Sequence, residues 1–127
     1  MFRRILVPSL KHLHVRRNHN LLQVTESSGV RNITLSDHKT RNCLSLEMME
    51  NLIKEIKRNE SDKSLRVIVL SSSGPVFSAG HNLKELSPDK GYDSQRQVFS
   101  KCHELINTII HSPLPVIAKV DGLAAGN

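Results

Sequence analysis

Residues 71–86, read as SSSGPVFSAGHNLKEL, hold the groups best placed to do chemistry in this chain. They follow an apolar run and set Gly80 just before His81, Asn82, Leu83 and Lys84. Gly80 has no Cβ, so it can take a positive φ and bring main chain close to a ligand. A helical turn beginning at His81 would leave its first N–H groups unpaired, and such groups bind anions or developing negative charge. The simpler alternative is a glycine-containing loop packed down by Phe77, with no ligand.

Other chemistries find little support. Cys43 and Cys102 are far apart and belong to no CxxC pair, which argues against a disulfide framework or a zinc site. The seven histidines are scattered; His12 and His14 form the one close pair and have no Cys or carboxylate near them, so no metal site is expected. The formal charge is +6, but five of the 18 basic residues fall in residues 1–25, which carry no acid. Beyond them 13 basic residues face 12 acids, and with a single Tyr and three Phe this leaves no surface of the kind that binds nucleic acid. No stretch is long and apolar enough for an integral membrane segment. The arginine-rich, acid-free opening, residues 1–20, reads as a mitochondrial transit-like leader ahead of one domain at 21–127.

Elements must hold the 71–86 segment in place. The segments LLQVTE and VRNITLS read as a hairpin turning at Ser27-Ser28-Gly29. Leu46, Met49, Leu52, Ile53 and Ile56 form a helical stripe with Ser45 as its N-cap. LRVIVLSS is an apolar run expected as a parallel strand buried on both faces. Ser94 and Gln97 suggest a capping box opening a second helix. Val98, Cys102, Leu105 and Ile109 form its stripe, Ile106 and Ile110 lie beside it, and Pro113 and Pro115 end it. PVIAKV follows as a strand, so the order predicts an α/β sheet with right-handed crossovers. In such a sheet ligands bind in loops at the carboxyl ends of strands, where residues 71–86 lie.

The segment VFSAGHNLKEL resembles the F-S-A-G-x-D-L-K-E signature of the crotonase, or enoyl-CoA hydratase/isomerase, superfamily. ITLSDHKTRNCLSLEMMENL is similar to its early segment, with Asn42 and Leu44 in register, and SPLPVIAKVDGLAAG is similar to its later P-x-P-V-I-A segment. The three run in the right order over roughly residues 21–126. The resemblance implies a crotonase (ClpP-like) fold of ββα units, incomplete here and truncated before the second oxyanion-hole helix. It implies an acyl-CoA ligand, with coenzyme A as part of a thioester substrate and no prosthetic group. The main-chain N–H of His81 becomes the first oxyanion donor, and Asn127 aligns with the second. His81, Asn82, Leu83 and Lys84 become the residues whose backbone contacts coenzyme A. Because the main chain does this work, the His81 imidazole is expected to point away from the pocket.

The chain departs from the family pattern at Asn82, where Asp is usual, and at Asp37-His38-Lys39, where a proline is usual. The two glutamates that family hydratases use as acid and base have no counterpart before Asn127. Glu85 and Glu104 are expected to be solvated and not to replace them. The expected function is therefore an acyl-CoA-binding, enoyl-CoA hydratase-like protein of mitochondrial fatty acid metabolism, in the matrix and inactive as this chain. The alternative is a non-enzymatic regulator that associates with full-length crotonase subunits. A family-like homo-oligomer is not expected.

Overall fold

The computed structural model describes residues 15–18 and 21–125. Its backbone starts with β1 (Val15–Asn18), β2 (Leu22–Ser27) and β3 (Val30–Leu35), an antiparallel meander. The β2–β3 turn is the one expected, with Ser28 at φ 53 and Gly29 at φ 80. Both values are positive, as in the tight turns whose twist matches a hairpin. β1 had no strand signal and lies within the stretch read as a leader; residues 1–14, 19 and 20 are outside the described residues.

Helix α1 (Leu46–Lys57) carries the chain to β4 (Val67–Ser72), which pairs in parallel with β3. A short β5 (Val76–Ser78) and a 3-10 turn (Pro88–Lys90) lead into α2 (Tyr92–Ile110), and β6 (Val116–Ala118) returns parallel to β4. The main sheet has the order β1-β2-β3-β4-β6. β5 and β7 (Leu123–Ala124) form a separate parallel pair, Val76 beside Leu123 and Ser78 beside Ala124.

Side chains alternate across a strand, and register aligns one apolar face: Leu22 beside Leu35, Val24 beside Ile33, Ile33 beside Leu70. Met48, Met49, Leu52, Ile53 and Ile56 of α1 and Val98 and Leu105 of α2 pack into one core with that face. Both helices therefore cover the same side of the sheet. This corrects the expectation for β4: Ile68 is fully buried, whereas Val67 and Val69 on the opposite face are partly exposed.

Ser45 caps α1 as expected, its Oγ accepting from the Met48 N–H at 3.1 Å. The capping box at Ser94 and Gln97 is not formed. The 3-10 turn delivers the chain to Gly91, which is the N-cap, and α2 begins two residues before Ser94. Gln95 ties the new first turn back by donating from Nε2 to the Leu86 carbonyl at 3.0 Å. Of the α2 stripe, Val98 and Leu105 are buried and Cys102 and Ile109 half-buried, while Ile106 and Ile110 stand exposed. Among the described residues no helix is long and apolar enough to cross a membrane.

Candidate functional site

The loop after β4 is held from below by the loop before α1. Asn42 is buried and donates from Nδ2 to the Val76 carbonyl at 2.9 Å, and the Ala79 N–H donates to the Arg41 carbonyl at 3.0 Å. Ser78, also buried, accepts the Gly80 N–H on its Oγ at 3.1 Å. Gly80 itself is buried at φ +86, a conformation that strains any residue with a Cβ.

Leu44 and His81 form a parallel bridge. The Leu44 N–H donates to the Gly80 carbonyl at 2.7 Å, and the Asn82 N–H donates to the Leu44 carbonyl at 3.4 Å. Peptide groups along an extended segment alternate in direction. The amide of His81 is therefore directed to the side opposite Leu44.

A cavity of about 370 Å³ borders this bridge. It is lined by Leu44, Leu52, Leu70 and Phe77, by Cys102, Leu105, Ile106 and Ile109 of α2, and by Ser78, His81, Ala124 and Ala125. Among the described residues the lining is almost wholly apolar and contains no carboxylate, which is how a site for a hydrocarbon group is built. A larger groove of about 570 Å³, between the end of α1 and the other side of α2, shares no residue with it and is lined by charged and polar groups including Lys57, Glu60, His103 and His111.

The imidazole of His81 meets α2 at Phe99, a residue that is not part of the cavity lining. Its ring packs edge-on against Phe99 of α2, with centroids 5.6 Å apart and planes at 75°. After His81 the chain makes a turn and no helix. Asn82 accepts the Lys84 N–H on Oδ1 at 3.2 Å, its carbonyl accepts the Glu85 N–H at 3.0 Å, and the Leu83 carbonyl accepts the Leu86 N–H at 3.2 Å. The N–H groups of Lys84, Glu85 and Leu86, expected to be free, are thus engaged within the turn, because an amide side chain at position 82 closes it locally. Leu83 and Lys84 stand exposed and are not part of the cavity lining.

Glu85 also departs from expectation. Its Oε2 accepts the N–H of Leu46, the first residue of α1, at 3.0 Å. A helix N-terminus leaves that N–H without an intrahelical partner, and a carboxylate suits it on both hydrogen-bonding and dipole grounds. Glu104 is exposed as expected, paired with Lys101 at 2.8 Å. Asn127 lies outside the described residues. Ala125, two positions earlier, donates its N–H to the Ser78 carbonyl at 2.9 Å and lines the cavity, so the later motif is drawn to the same loop.

Residues 25–127 match the enoyl-CoA hydratase/isomerase family. Human enoyl-CoA hydratase domain-containing protein 3, mitochondrial, is 47% identical over 97 residues, which are 76% of this chain and 32% of that protein. Mouse methylglutaconyl-CoA hydratase, mitochondrial, is 36% identical over 103 residues, 80% of this chain and 32% of that protein. The crystal structure of human enoyl Coenzyme A hydratase domain-containing protein 3 superposes with a TM-score of 0.80 at 43% identity, covering 82% of this chain and 41% of that one. The chain thus spans about a third of the length of these curated relatives.

Proposed function

Because the chain belongs to the enoyl-CoA hydratase/isomerase family, we propose that it binds an acyl-CoA at the loop around His81, the acyl group entering the apolar cavity. The His81 N–H is the first donor to the thioester oxygen, and the backbone of His81, Asn82, Leu83 and Lys84 contacts coenzyme A. Asn127 supplies the second donor, a role supported by Ala125, two positions earlier, lining the same cavity. Two N–H groups aimed at a carbonyl oxygen stabilise the enolate-like charge of such chemistry.

One observation carries this reading: the bridge to Leu44 engages the peptide groups on either side of His81 and turns the amide of His81 the other way, beside an apolar cavity. With no carboxylate among the described residues of the cavity lining, the activity proposed for the chain itself is binding and polarisation of the thioester, without hydration. The basic residues of 1–20 direct it to the mitochondrial matrix, where it belongs to fatty acid metabolism; that its relatives are mitochondrial supports the organelle.

Calorimetric titration tests the site. Crotonyl-CoA is expected to bind more tightly than coenzyme A alone, and His81→Ala, which keeps the main-chain donor, to preserve the difference. Equal affinities for the two ligands would overturn the proposal.

A second reading is favoured by the apolar residues left exposed on and after α2, Ile106, Ile110, Ile117 and Leu123. Through them the chain docks onto full-length crotonase subunits as a regulator. Co-expression with a full-length relative is the test, and the absence of a co-purifying subunit argues against it.

A further inference from the structure

We propose that Glu85 is a positioning residue for the His81 donor, fastening the loop that carries it to the first turn of α1. This rests on the thioester-binding reading given above, and it concerns a side chain that reading does not use.

Three attachments join the loop to the start of α1 and the residue before its cap, one ahead of His81 and two after it. Before it, the Gly80 carbonyl accepts the Leu44 N–H at 2.7 Å. After it, Glu85 Oε2 accepts the Leu46 N–H at 3.0 Å. Between them residues 82–86 form a turn closed by its own hydrogen bonds, from Lys84 to the Asn82 side chain and from Leu86 to Leu83. Because the turn is self-bonded, it moves as a unit, and a force applied at Glu85 is transmitted back to Asn82. The Asn82 N–H is the weakest attachment in the set, at 3.4 Å from the Leu44 carbonyl. Without the carboxylate, that long bond is the one remaining link from the turn to the segment before α1, the other hold on the turn being the Gln95 bond from α2 to the Leu86 carbonyl.

The chemistry of the contact suits this task. The Leu46 N–H belongs to the first turn of α1, where the partial positive charge of the helix is greatest, and a carboxylate acceptor there forms a charge-assisted bond. Ser45 already takes the Met48 N–H, so α1 has a cap of its own on the strand side. The Glu85 bond adds a link from the helix to the loop. A donor to a developing oxyanion works only within about 0.5 Å of its proper place. Displacement of about 1 Å costs on the order of a hundredfold in rate.

The test compares Glu85→Ala, Glu85→Gln and Ser45→Ala. Cinnamoyl-CoA is the probe, because polarisation of a conjugated thioester carbonyl shifts its absorption to longer wavelength. The wild-type chain is expected to shift the bound probe. Glu85→Ala is expected to bind with about tenfold lower affinity and to lose most of the shift, and Glu85→Gln, which keeps an acceptor oxygen, to recover it. Ser45→Ala weakens the same helix without touching the loop and should leave the shift intact. A full shift in Glu85→Ala, or its loss in Ser45→Ala, overturns the assignment.

Amide hydrogen exchange separates this inference from the binding proposal. Glu85→Ala should speed exchange at Asn82 more than at Leu44, whether or not ligand binds. Unchanged exchange at Asn82 overturns the positioning role, whereas an unshifted probe with the wild-type chain overturns the thioester reading and leaves the fastening to be judged by exchange alone.

Discussion

Asn42 and Val76 are 34 positions apart, yet the Asn42 amide donates to the Val76 carbonyl at 2.9 Å and also reaches the Ser73 carbonyl at 3.5 Å. One buried side chain thereby brackets the loop between β4 and β5 from within. Asn42 also sits at φ 55, in the left-handed region that Asn tolerates better than most residues. Asn42→Ala removes the bracket, leaves a part-buried carbonyl without this donor at a cost of about 1 kcal/mol, and adds backbone strain of about 1 kcal/mol. Asn42→Asp sets a carboxylate against two carbonyl oxygens and should be no milder. Urea unfolding checks both; a loss smaller than about 0.5 kcal/mol, the usual range for surface changes, would show the bracket to be idle.

Acid should weaken the chain through one cluster. Arg31 is a buried residue of β3; its Nε meets Glu26, its cross-strand neighbour, at 2.6 Å, and its Nη1 donates to the carbonyls of Glu55 at 2.8 Å and Arg58 at 2.6 Å, at the end of α1. Arg58 completes the cluster with bonds to Glu26 and Glu55. Burial raises the pKa of Glu26, but its bonds to Arg31 and Arg58 outweigh that and hold it below the ordinary 4.5. A carboxylate with a depressed folded pKa contributes stability that is complete above its unfolded value and is lost as pH falls through the folded one. The unfolding midpoint should therefore decline from near that ordinary value downward, and Glu26→Gln should flatten the decline. Arg31→Ala, which leaves Glu26 with Arg58 alone and two carbonyls of α1 without their donor, should cost about 1–3 kcal/mol at neutral pH.

The hairpin, α1 and the central strand were legible because each is written locally. Ser28-Gly29 is turn chemistry, Leu46 to Ile56 is a helical stripe, and Val67 to Leu70 is a run of β-forming residues. The loop at Gly80 and His81 was legible as a motif. What escaped depends on partners distant in sequence. β5 and β7 have three and two residues and exist because Val76 and Ser78 meet Leu123 and Ala124. Glu85 looked solvated because nothing near it in sequence announces Leu46, 39 positions away. Ser94 carried a capping signal, but Gly91 and the 3-10 turn before it started α2 sooner. The outward face of β4 is partly open because both helices chose the other side, a fact of packing that an apolar run does not encode.

Gly122 controls the β5–β7 pair. It lies at φ +94, and a Cβ there would overlap the Pro75 carbonyl oxygen, which is backbone and has little room to yield. Gly122→Ala combines left-handed strain of about 1–2 kcal/mol with an overpacking cost of about 1–3 kcal/mol. The expected relief is local, through separation of Leu123 from the Pro75 carbonyl, to which its N–H donates at 3.3 Å. Hydrogen exchange at Leu123 and Ala125 should accelerate while Ile33 and Ile68 of the main sheet stay protected. Uniform acceleration would mean that the small pair and the main sheet open together.

The two cysteines report on the cavity separately. Cys43 is buried at 6% exposure beneath the loop before α1, whereas Cys102 is half-buried and lines the cavity from α2. A small maleimide reaches whichever thiol is accessible, so Cys102 should be modified well before Cys43 under native conditions, with both reacting after unfolding. An acyl group in the cavity would cover the Cys102 sulfur. Octanoyl-CoA should then slow modification of Cys102 several-fold, at concentrations where coenzyme A alone does not, and leave Cys43 unaffected. Peptide mapping of the labelled chain gives both rates in one experiment. Equal protection by coenzyme A and octanoyl-CoA would remove the acyl group from this cavity, and faster labelling of Cys43 than of Cys102 would contradict the packing of α2 against the sheet.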